Sequence, residues 1–236
     1  HAGEKFVLRG EDDWPLARTK WTQYYLQPDG KTLSTDKPKV NHSTSYHTRS
    51  DGLSFSSGPL KQSMEITGPI AAQLRISSET SDADIFLALR VFDDKGVEVS
   101  FIGSNDPRTP VALGWLRASH RKTDTAKSLP YRPWHTHDEK QLLIPLQPVD
   151  LDIEIWPTSI VIPVGYSFVL NVRGKDYRYD DKGVTLPFDN QVMYGVGPFT
   201  HENPIDRPAE IFHTNNTLHW DEGFSPSLLL PIIPHQ

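Results

Sequence analysis

The chain has 236 residues, 24 of them basic and 30 acidic, and a formal net charge of −6 at pH 7. It has no cysteine, which excludes disulfides, thiolate metal centres and a cysteine nucleophile. The charges are interspersed, without a Lys/Arg run or a basic amphipathic helix, so we expect neither nucleic acid nor membrane as a partner. No stretch approaches the about 20 apolar residues of a spanning helix.

Proline and glycine occur throughout the chain. The 20 prolines and 15 glycines are spread out, a distribution typical of many short strands joined by turns. Aromatic and β-branched residues at 18–26 predict the first strand, which the turn residues 28–30 (PDG) end. Further strands are predicted at residues 53–57, 63–66, 71–76, 85–92, 97–102, 153–156, 160–164, 166–172 and 191–195.

Two of these strands indicate where the core lies. Residues 85–92 (IFLALRVF) are nearly all apolar, as in a central strand, and residues 153–156 alternate with a period of two. Residues 36–51 and 134–140 are predicted loops, and residues 111–119 a short turn or helix. The predicted core contains Ile85, Phe86, Leu87, Leu89, Ile153, Ile155, Phe168 and Leu170.

The pattern as a whole predicts an all-β fold. Many short strands separated by Gly, Pro and Asp turns favour a two-sheet antiparallel jelly-roll sandwich. No Gly/Ser tract or acidic linker divides the middle of the chain. We therefore expect a single domain over residues 1–236, in which residues 1–26 form a leading segment and the first strand.

The motif of one common hydrolase class is absent. An α/β-hydrolase presents its serine in G-x-S-x-G, where small residues let a strained strand-to-helix turn expose the hydroxyl. The nearest window, residues 52–56 (GLSFS), lacks the second glycine. We assign no catalytic residue and predict that the chain alone is not an enzyme.

The histidines offer a possible metal pair. His135 and His137 place two imidazoles on one side of an extended segment, as a cupin metal site does. The glutamate that follows, Glu139, is too close, and the surrounding glycines of a cupin are missing. We favour a polar surface loop and predict no metal or other cofactor; His201 and His219 are interpreted as structural.

Residues 119–121 place a hydroxyl, an imidazole and a guanidinium side by side. Neighbouring side chains of an extended segment point to opposite faces, so Ser119, His120 and Arg121 are not expected to converge on one ligand. The structural interpretation is that Arg121 or Arg117 pairs with an aspartate, Asp82 or Asp84, and fixes a long loop.

Tryptophans are the candidates for contact with a sugar or a protein. Trp21 and Trp156 fall in strands and are predicted to be core, whereas Trp134 is the best exposed candidate for stacking on a sugar. Trp115, residues 129–134 and the segment near Trp14 combine aromatic residues with arginine, as interface cores do. The residues predicted to face a partner or ligand are Trp115, His120, Arg121, Trp134, His135 and His137.

Four segments, in this order and spacing, resemble a known domain. Residues 81–89 (SDADIFLAL), 114–121 (GWLRASHR), 195–207 (GVGPFTHENPIDR) and 226–234 (PSLLLPIIP) are similar to the C-terminal β domain of the X-prolyl dipeptidyl-peptidase and cocaine-esterase (CocE/NonD) hydrolases. The resemblance implies a galactose-binding-like jelly roll that packs on an α/β-hydrolase domain, walls its substrate cleft and contributes to oligomer contacts. The catalytic serine, aspartate and histidine of that family belong to the other domain.

The resemblance leads to two functional hypotheses. The first is an accessory, non-catalytic domain of a serine hydrolase that acts on ester or amide bonds, X-prolyl peptide bonds among them. Its expected partners are an α/β-hydrolase catalytic domain and a second copy of the chain. The alternative is a free-standing carbohydrate-binding module, which rests on fold analogy alone.

Overall fold

The computed structural model describes residues 6–103, 106–179, 183–186, 192–196 and 200–234. Short strands account for most of the regular structure in these ranges: β1 (Lys20–Leu26), β2 (Leu33–Ser34), β3 (His42–His47), β4 (Leu53–Ser56), β5 (Met64–Ser78), β6 (Asp84–Phe92), β7 (Glu98–Val99), β8 (Ala112–Arg117), β9 (Val149–Ile162), β10 (Ser167–Arg173), β11 (Val184–Thr185), β12 (Val192–Met193), β13 (Asn215–Trp220) and β14 (Ser227–Ile233). A 3₁₀ turn (Ala118–His120) and one helix, α1 (Ala209–Phe212), complete them. Within these ranges, no helix is both long and apolar enough to cross a membrane.

Several predicted elements differ from the structure. Residues 36–51, predicted as a loop, contain β3, a polar strand (HSTSYH) that buries only Tyr46 and so lacks an apolar period. Residues 111–119, predicted as a turn or helix, form β8, and only the 3₁₀ turn after it is helical. The strands predicted at 153–156 and 160–164 are one long strand, β9, and those predicted at 63–66 and 71–76 are one long strand, β5. Of the strand predicted at 97–102, only the two residues of β7 are extended in a ladder. Gln191, predicted to start a strand, lies outside the described residues.

The strands form an antiparallel sandwich whose hydrogen bonding continues around its corners. Twelve of the described strands share one sheet, in which the order β2-β1-β14-β5-β9-β8-β6-β10-β4 is extended by β13, β3 and β7. One layer meets the other where Gly114 of β8 pairs with Ile155 of β9. The two ends of the path meet at a bridge between Thr32 and Ser56. The predicted all-β antiparallel sandwich is confirmed.

Gly114 is required at the corner between the layers. A Cβ at this position would lie 2.3 Å from the Glu154 carbonyl oxygen and 2.9 Å from the Ile155 Cα. Because both of these atoms belong to backbone, neither moves aside easily. The glycine therefore allows β8 and β9 to approach and keeps the side chain of Trp115 on the outer surface.

All eight predicted core residues are buried, and seven of them lie between the layers. The eighth, Phe86, faces the other side of β6, where its ring contacts that of His201. Ile85, Leu89, Ile153, Ile155 and Phe168 are fully inaccessible to solvent. They belong to one apolar cluster that also includes buried residues from β1, β4, β5, β13 and β14. Burial of this size supplies most of the free energy of folding.

Two long connections cover the outer faces of the sandwich. Residues 121–148 run from the 3₁₀ turn to β9, and the Tyr131 ring stacks on Trp21 of β1 with ring centroids 4.5 Å apart. The described parts of residues 174–213 lie over β6, where the Tyr177 hydroxyl donates to both carboxylate oxygens of Glu98 at 2.8 and 2.9 Å. The ends of both connections lie beside the 78–82 turn between β5 and β6.

Candidate docking surface

One end of the sandwich collects backbone from several distant parts of the chain. Leu143 N–H donates to the Ser81 carbonyl at 2.8 Å, and Gln141 N–H donates to the Ser119 carbonyl at 2.7 Å. We call this end, built from four segments, the docking end: residues 78–82, 117–121, 141–146 and 206–212.

A buried aspartate fixes the 3₁₀ turn at the docking end. Asp82 accepts the Ser119 hydroxyl at 2.7 Å and the Ser119 N–H at 3.0 Å. Its carboxylate also accepts the Ala83 N–H at 2.9 Å. Ser119 is fully buried, so its hydroxyl is a structural anchor and is not accessible as a nucleophile.

A second buried aspartate binds two arginines. Asp84 is 5% exposed and accepts a bidentate pair from Arg117, Nε to Oδ1 at 2.8 Å and Nη2 to Oδ2 at 3.0 Å. Arg207 Nε lies 2.7 Å from the same carboxylate. Asp206 adds a more exposed contact to Arg117 at 3.0 Å. The hydrogen bonds to Asp84 and then Asp206 raise the pKa of Arg117, which stays charged.

These contacts decide between the two predicted arginine pairings. The predicted pair of Arg117 with Asp84 is confirmed. Arg121 pairs with neither aspartate and donates instead to the carbonyls of Ala118 and Gln141. The reason is that residues 118–120 form a 3₁₀ turn rather than the extended segment assumed from the sequence. Burial lowers the pKa of Arg121.

Apolar side chains are exposed to solvent on the docking end. Leu142, Ile144 and Leu146 are all exposed, Ile144 by 59%, whereas Leu143 between them is only 4% exposed and packs into the core. Ile205, next to Asp206, is also exposed. We call the first three residues the apolar strip. Sequence reasoning missed it, although the run LLIPL in a proline-containing connection was a signal.

Two exposed tryptophans lie on β8 and β9, the strands that meet at the corner of the sandwich. Trp115 and Trp156 contact each other with ring centroids 5.1 Å apart, and the His201 ring lies 5.7 Å from that of Trp115. Trp115 is exposed, as predicted, but the prediction that Trp156 is core is wrong, because it is 60% exposed. Its position on β9 faces outward, in phase with Glu154 and opposite to Ile155.

The other predicted aromatic contacts lie elsewhere on the surface. Trp134 is exposed, and the Lys127 ammonium lies 5.6 Å from its ring centroid, over one face. Trp21 is half-buried under Tyr131 rather than part of the core. Trp14 is exposed on the leading segment, which Arg9 fastens to Glu65, at the opposite end of β5 from Ser78. Carbohydrate binding through Trp134 stays a prediction.

Three predicted histidines lie together beside the 3₁₀ turn. The Nδ1 atoms of His120 and His137 are 3.3 Å apart. The His135 ring centroid lies 6.1 Å from that of His137, and His135 Nε2 is 3.0 Å from the Asp152 carbonyl. Burial lowers the pKa of His135 below its usual value. His137 therefore pairs with His120, not with the sequence neighbour His135.

A buried aspartate also orients His201. Its Nδ1 lies 2.9 Å from Asp176 Oδ1, and its backbone N–H donates to Asp176 Oδ2 at 2.6 Å. Such a pair resembles the orienting half of a hydrolase triad. In the described ranges, the His201 ring contacts the rings of Phe86 and Trp115 rather than a serine, threonine or cysteine side chain. The arrangement is that of a structural contact that fixes residues 174–213.

The described residues do not include a group of three or more acidic or histidine side chains placed to hold a metal ion.

The fold and the exposed apolar side chains of the docking end agree with a family match over almost the whole chain. The model of the X-Pro dipeptidyl-peptidase C-terminal non-catalytic domain matches residues 2–222, and the chain belongs to this family. It is thus a non-catalytic domain of the type found at the C-terminus of CocE/NonD-type hydrolases, and the resemblance described from the sequence is confirmed.

Similar proteins are substantially longer than this chain. A CocE/NonD family hydrolase (SACOL2612) from Staphylococcus aureus superposes with a TM-score of 0.81 at 25% identity, over 96% of this chain and 38% of that one. "Putative serine esterase Mb1866c" of Mycobacterium bovis is 29% identical over 129 residues, 52% of this chain and 19% of the esterase.

A more distant structure shares the fold alone. An aminopeptidase from a marine sediment Thaumarchaeota archaeon superposes with a TM-score of 0.66 at 17% identity, over 95% of this chain and 38% of that one. The chain thus spans well under half the length of each of these three proteins.

Proposed function

We propose that this chain is a single accessory β domain of a serine hydrolase that acts on ester or amide bonds, X-prolyl peptide bonds among them. Its docking end packs on an α/β-hydrolase domain and forms one wall of the substrate cleft. The apolar strip of Leu142, Ile144 and Leu146 carries the proposal. Contiguous apolar side chains outside a complete core are typical of surfaces that another protein covers.

The pairing of the surrounding charges supports an apolar partner. Asp82 and Arg117 at the docking end, and Asp84 beside them on β6, are bonded within the chain, so a partner would gain little by offering them a charge. Trp115 and Trp156 add the large aromatic surface that is enriched at interface cores. The occupant we propose is the catalytic domain, because the similar hydrolase has further chain of more than this domain's own length.

The test begins with the reading frame upstream of His1, which should encode an α/β-hydrolase domain with an elbow serine. That domain is then co-expressed with this chain as a separate polypeptide. We expect a 1:1 complex by size-exclusion chromatography with light scattering. Ile144→Glu should weaken the complex by at least about tenfold, because a carboxylate would be buried in an apolar contact.

Val161→Glu is the matched control. Val161 is as exposed as Ile144, both at 59%, but it pairs with Glu65 at the opposite end of β5. A complex weakened equally by both variants, or no hydrolase domain upstream, would contradict the proposal.

Activity provides a separate test. The chain alone should not hydrolyse p-nitrophenyl esters or X-Pro anilides, and the complex should. Hydrolysis by the chain alone that a serine-directed inhibitor abolishes would refute the accessory role.

A further inference from the structure

His120 and His137 are held side by side by a small ladder of main-chain contacts. Thr136 N–H donates to the Lys122 carbonyl at 3.1 Å, and Asp124 N–H donates to the Trp134 carbonyl at 2.8 Å. These bonds run the 134–137 segment antiparallel to residues 120–124. The two imidazoles therefore stand on neighbouring segments of fixed register rather than on one mobile loop.

The separation of the two ring nitrogens fits two ligands of one metal ion. His120 Nδ1 and His137 Nδ1 are 3.3 Å apart. Two imidazole nitrogens at about 2.0–2.1 Å from a tetrahedral zinc are separated by about 3.3 Å. At this distance one ring N–H can also donate to the other ring nitrogen, and a bound cation would replace that proton.

The backbone of His137 is a second sign that this arrangement is specific. Its φ is +53°, and Leu146 is the other non-glycine residue with positive φ among the described residues. This left-handed conformation costs a β-carbon-bearing residue on the order of 1 kcal/mol, and such strain concentrates at functional sites. Here the strained residue carries one of the two facing nitrogens and is itself exposed to solvent.

We propose that His120 and His137 bind a late first-row divalent cation, of the Zn²⁺ or Cu²⁺ class, through their Nδ1 atoms. Imidazole pairs select these borderline ions over Mg²⁺ and Ca²⁺, which prefer oxygen ligands. With two protein ligands the remaining positions are taken by water. The affinity is therefore expected to be lower than that of a structural zinc site with four protein ligands.

The neighbouring side chains define the limits of the site. Lys122 Nζ lies 3.0 Å from Asp138 and 3.5 Å from Glu139, so both carboxylates are already paired. His135 is turned to the Asp152 carbonyl. The third histidine, which the sequence places in the pair, is thus a support of the ladder and not a ligand.

The test is a Zn²⁺ titration of the chain. Binding is measured by calorimetry, and the imidazole nitrogen resonances are monitored by NMR. All samples carry His1→Ala, so that the terminal histidine does not contribute. We expect one saturable site per chain and a selective shift of the Nδ1 resonances of His120 and His137. His120→Asn and His137→Asn should each weaken binding by at least about tenfold, since each removes half of the protein ligands.

His42→Asn is the control, because His42 is exposed on the distant strand β3 and contacts Thr44. Thermal unfolding of each variant confirms that it is folded. Binding that His42→Asn weakens as much as the two ligand variants, unchanged binding in His120→Asn, or no Nδ1 shift up to millimolar Zn²⁺ would each overturn the proposal.

Discussion

The outer face over β6 and the docking end differ in what covers them. Over β6, the charged groups Asp84 and Glu98 lie under residues 174–213, and each is paired with an arginine of the chain, Arg117 or Arg90. At the docking end, the apolar strip projects into solvent with nothing of the described chain above it. The chain itself covers the first surface, whereas the apolar side chains of the second are exposed to solvent.

Under the proposed function, the difference indicates which kind of interaction a partner would supply. Buried charges are costly unless they are paired, so a domain must complete them before it is stable alone. Exposed leucine and isoleucine side chains cost little in an isolated fold and become favourable once covered. A domain that folds alone and then assembles is expected to show this division.

The largest effect on stability is expected from removing a buried carboxylate of the surface over β6. Asp84→Ala leaves the guanidinium groups of Arg117 and Arg207 mostly buried without their shared carboxylate. Removal of one partner of a buried ion pair costs about 3–5 kcal/mol. The free energy of unfolding, measured by urea denaturation, should fall by about that amount.

Asp206→Ala is the comparison for that variant. Asp206 contacts the same Arg117 at 3.0 Å but is largely exposed. Loss of an exposed pair costs at most about 1 kcal/mol. Equal losses in the two variants would show that the burial of Asp84 is not what makes the pairing matter.

The apolar strip offers a sharper test with adjacent residues. Leu143→Ser should destabilise the chain by about 3 kcal/mol, because Leu143 is buried in the core. Ile144→Ser should change the free energy of unfolding by less than about 0.5 kcal/mol, because its side chain is exposed. Instead it should reduce the binding of a hydrophobic dye such as ANS.

Urea denaturation and dye titration of both variants check this prediction. A large destabilisation by Ile144→Ser would mean that the strip is part of the fold rather than a docking surface.

Strands with an apolar period were predictable from the sequence, and others were not. The runs around Ile85, Ile153 and Phe168 carry enough buried aliphatic residues to mark both layers and the core. β3 has no such period because it lies at a polar edge and pairs with β13 alone among the described strands. Its pairing depends on residues about 170 positions away, which local propensity does not report.

The candidate site was predictable in its residues but not in its contacts. Trp115 and the Arg117–Asp84 pair follow from residue type, since large aromatics and bidentate arginines have few alternatives. Trp156 was misplaced because a period of two tells which residues share a face, not which face is buried. The His120–His137 pair depends on a 3₁₀ turn and a left-handed residue, neither of which has a sequence signal here.

The smallest expected effect is a pH dependence at His219, outside the residues that define either surface. His219 on β13 contacts the Ser77 hydroxyl at 2.8 Å, and burial, then the charge of Arg75, lowers its pKa. A lowered pKa means that the unfolded chain takes up the proton first as the pH falls through about 6.5. The contribution of His219 is therefore intact at pH 7 and is lost progressively below it. His219→Gln, which keeps a polar contact to Ser77, should flatten the decline in melting temperature between pH 7 and pH 5. An unchanged slope in this variant would contradict the prediction.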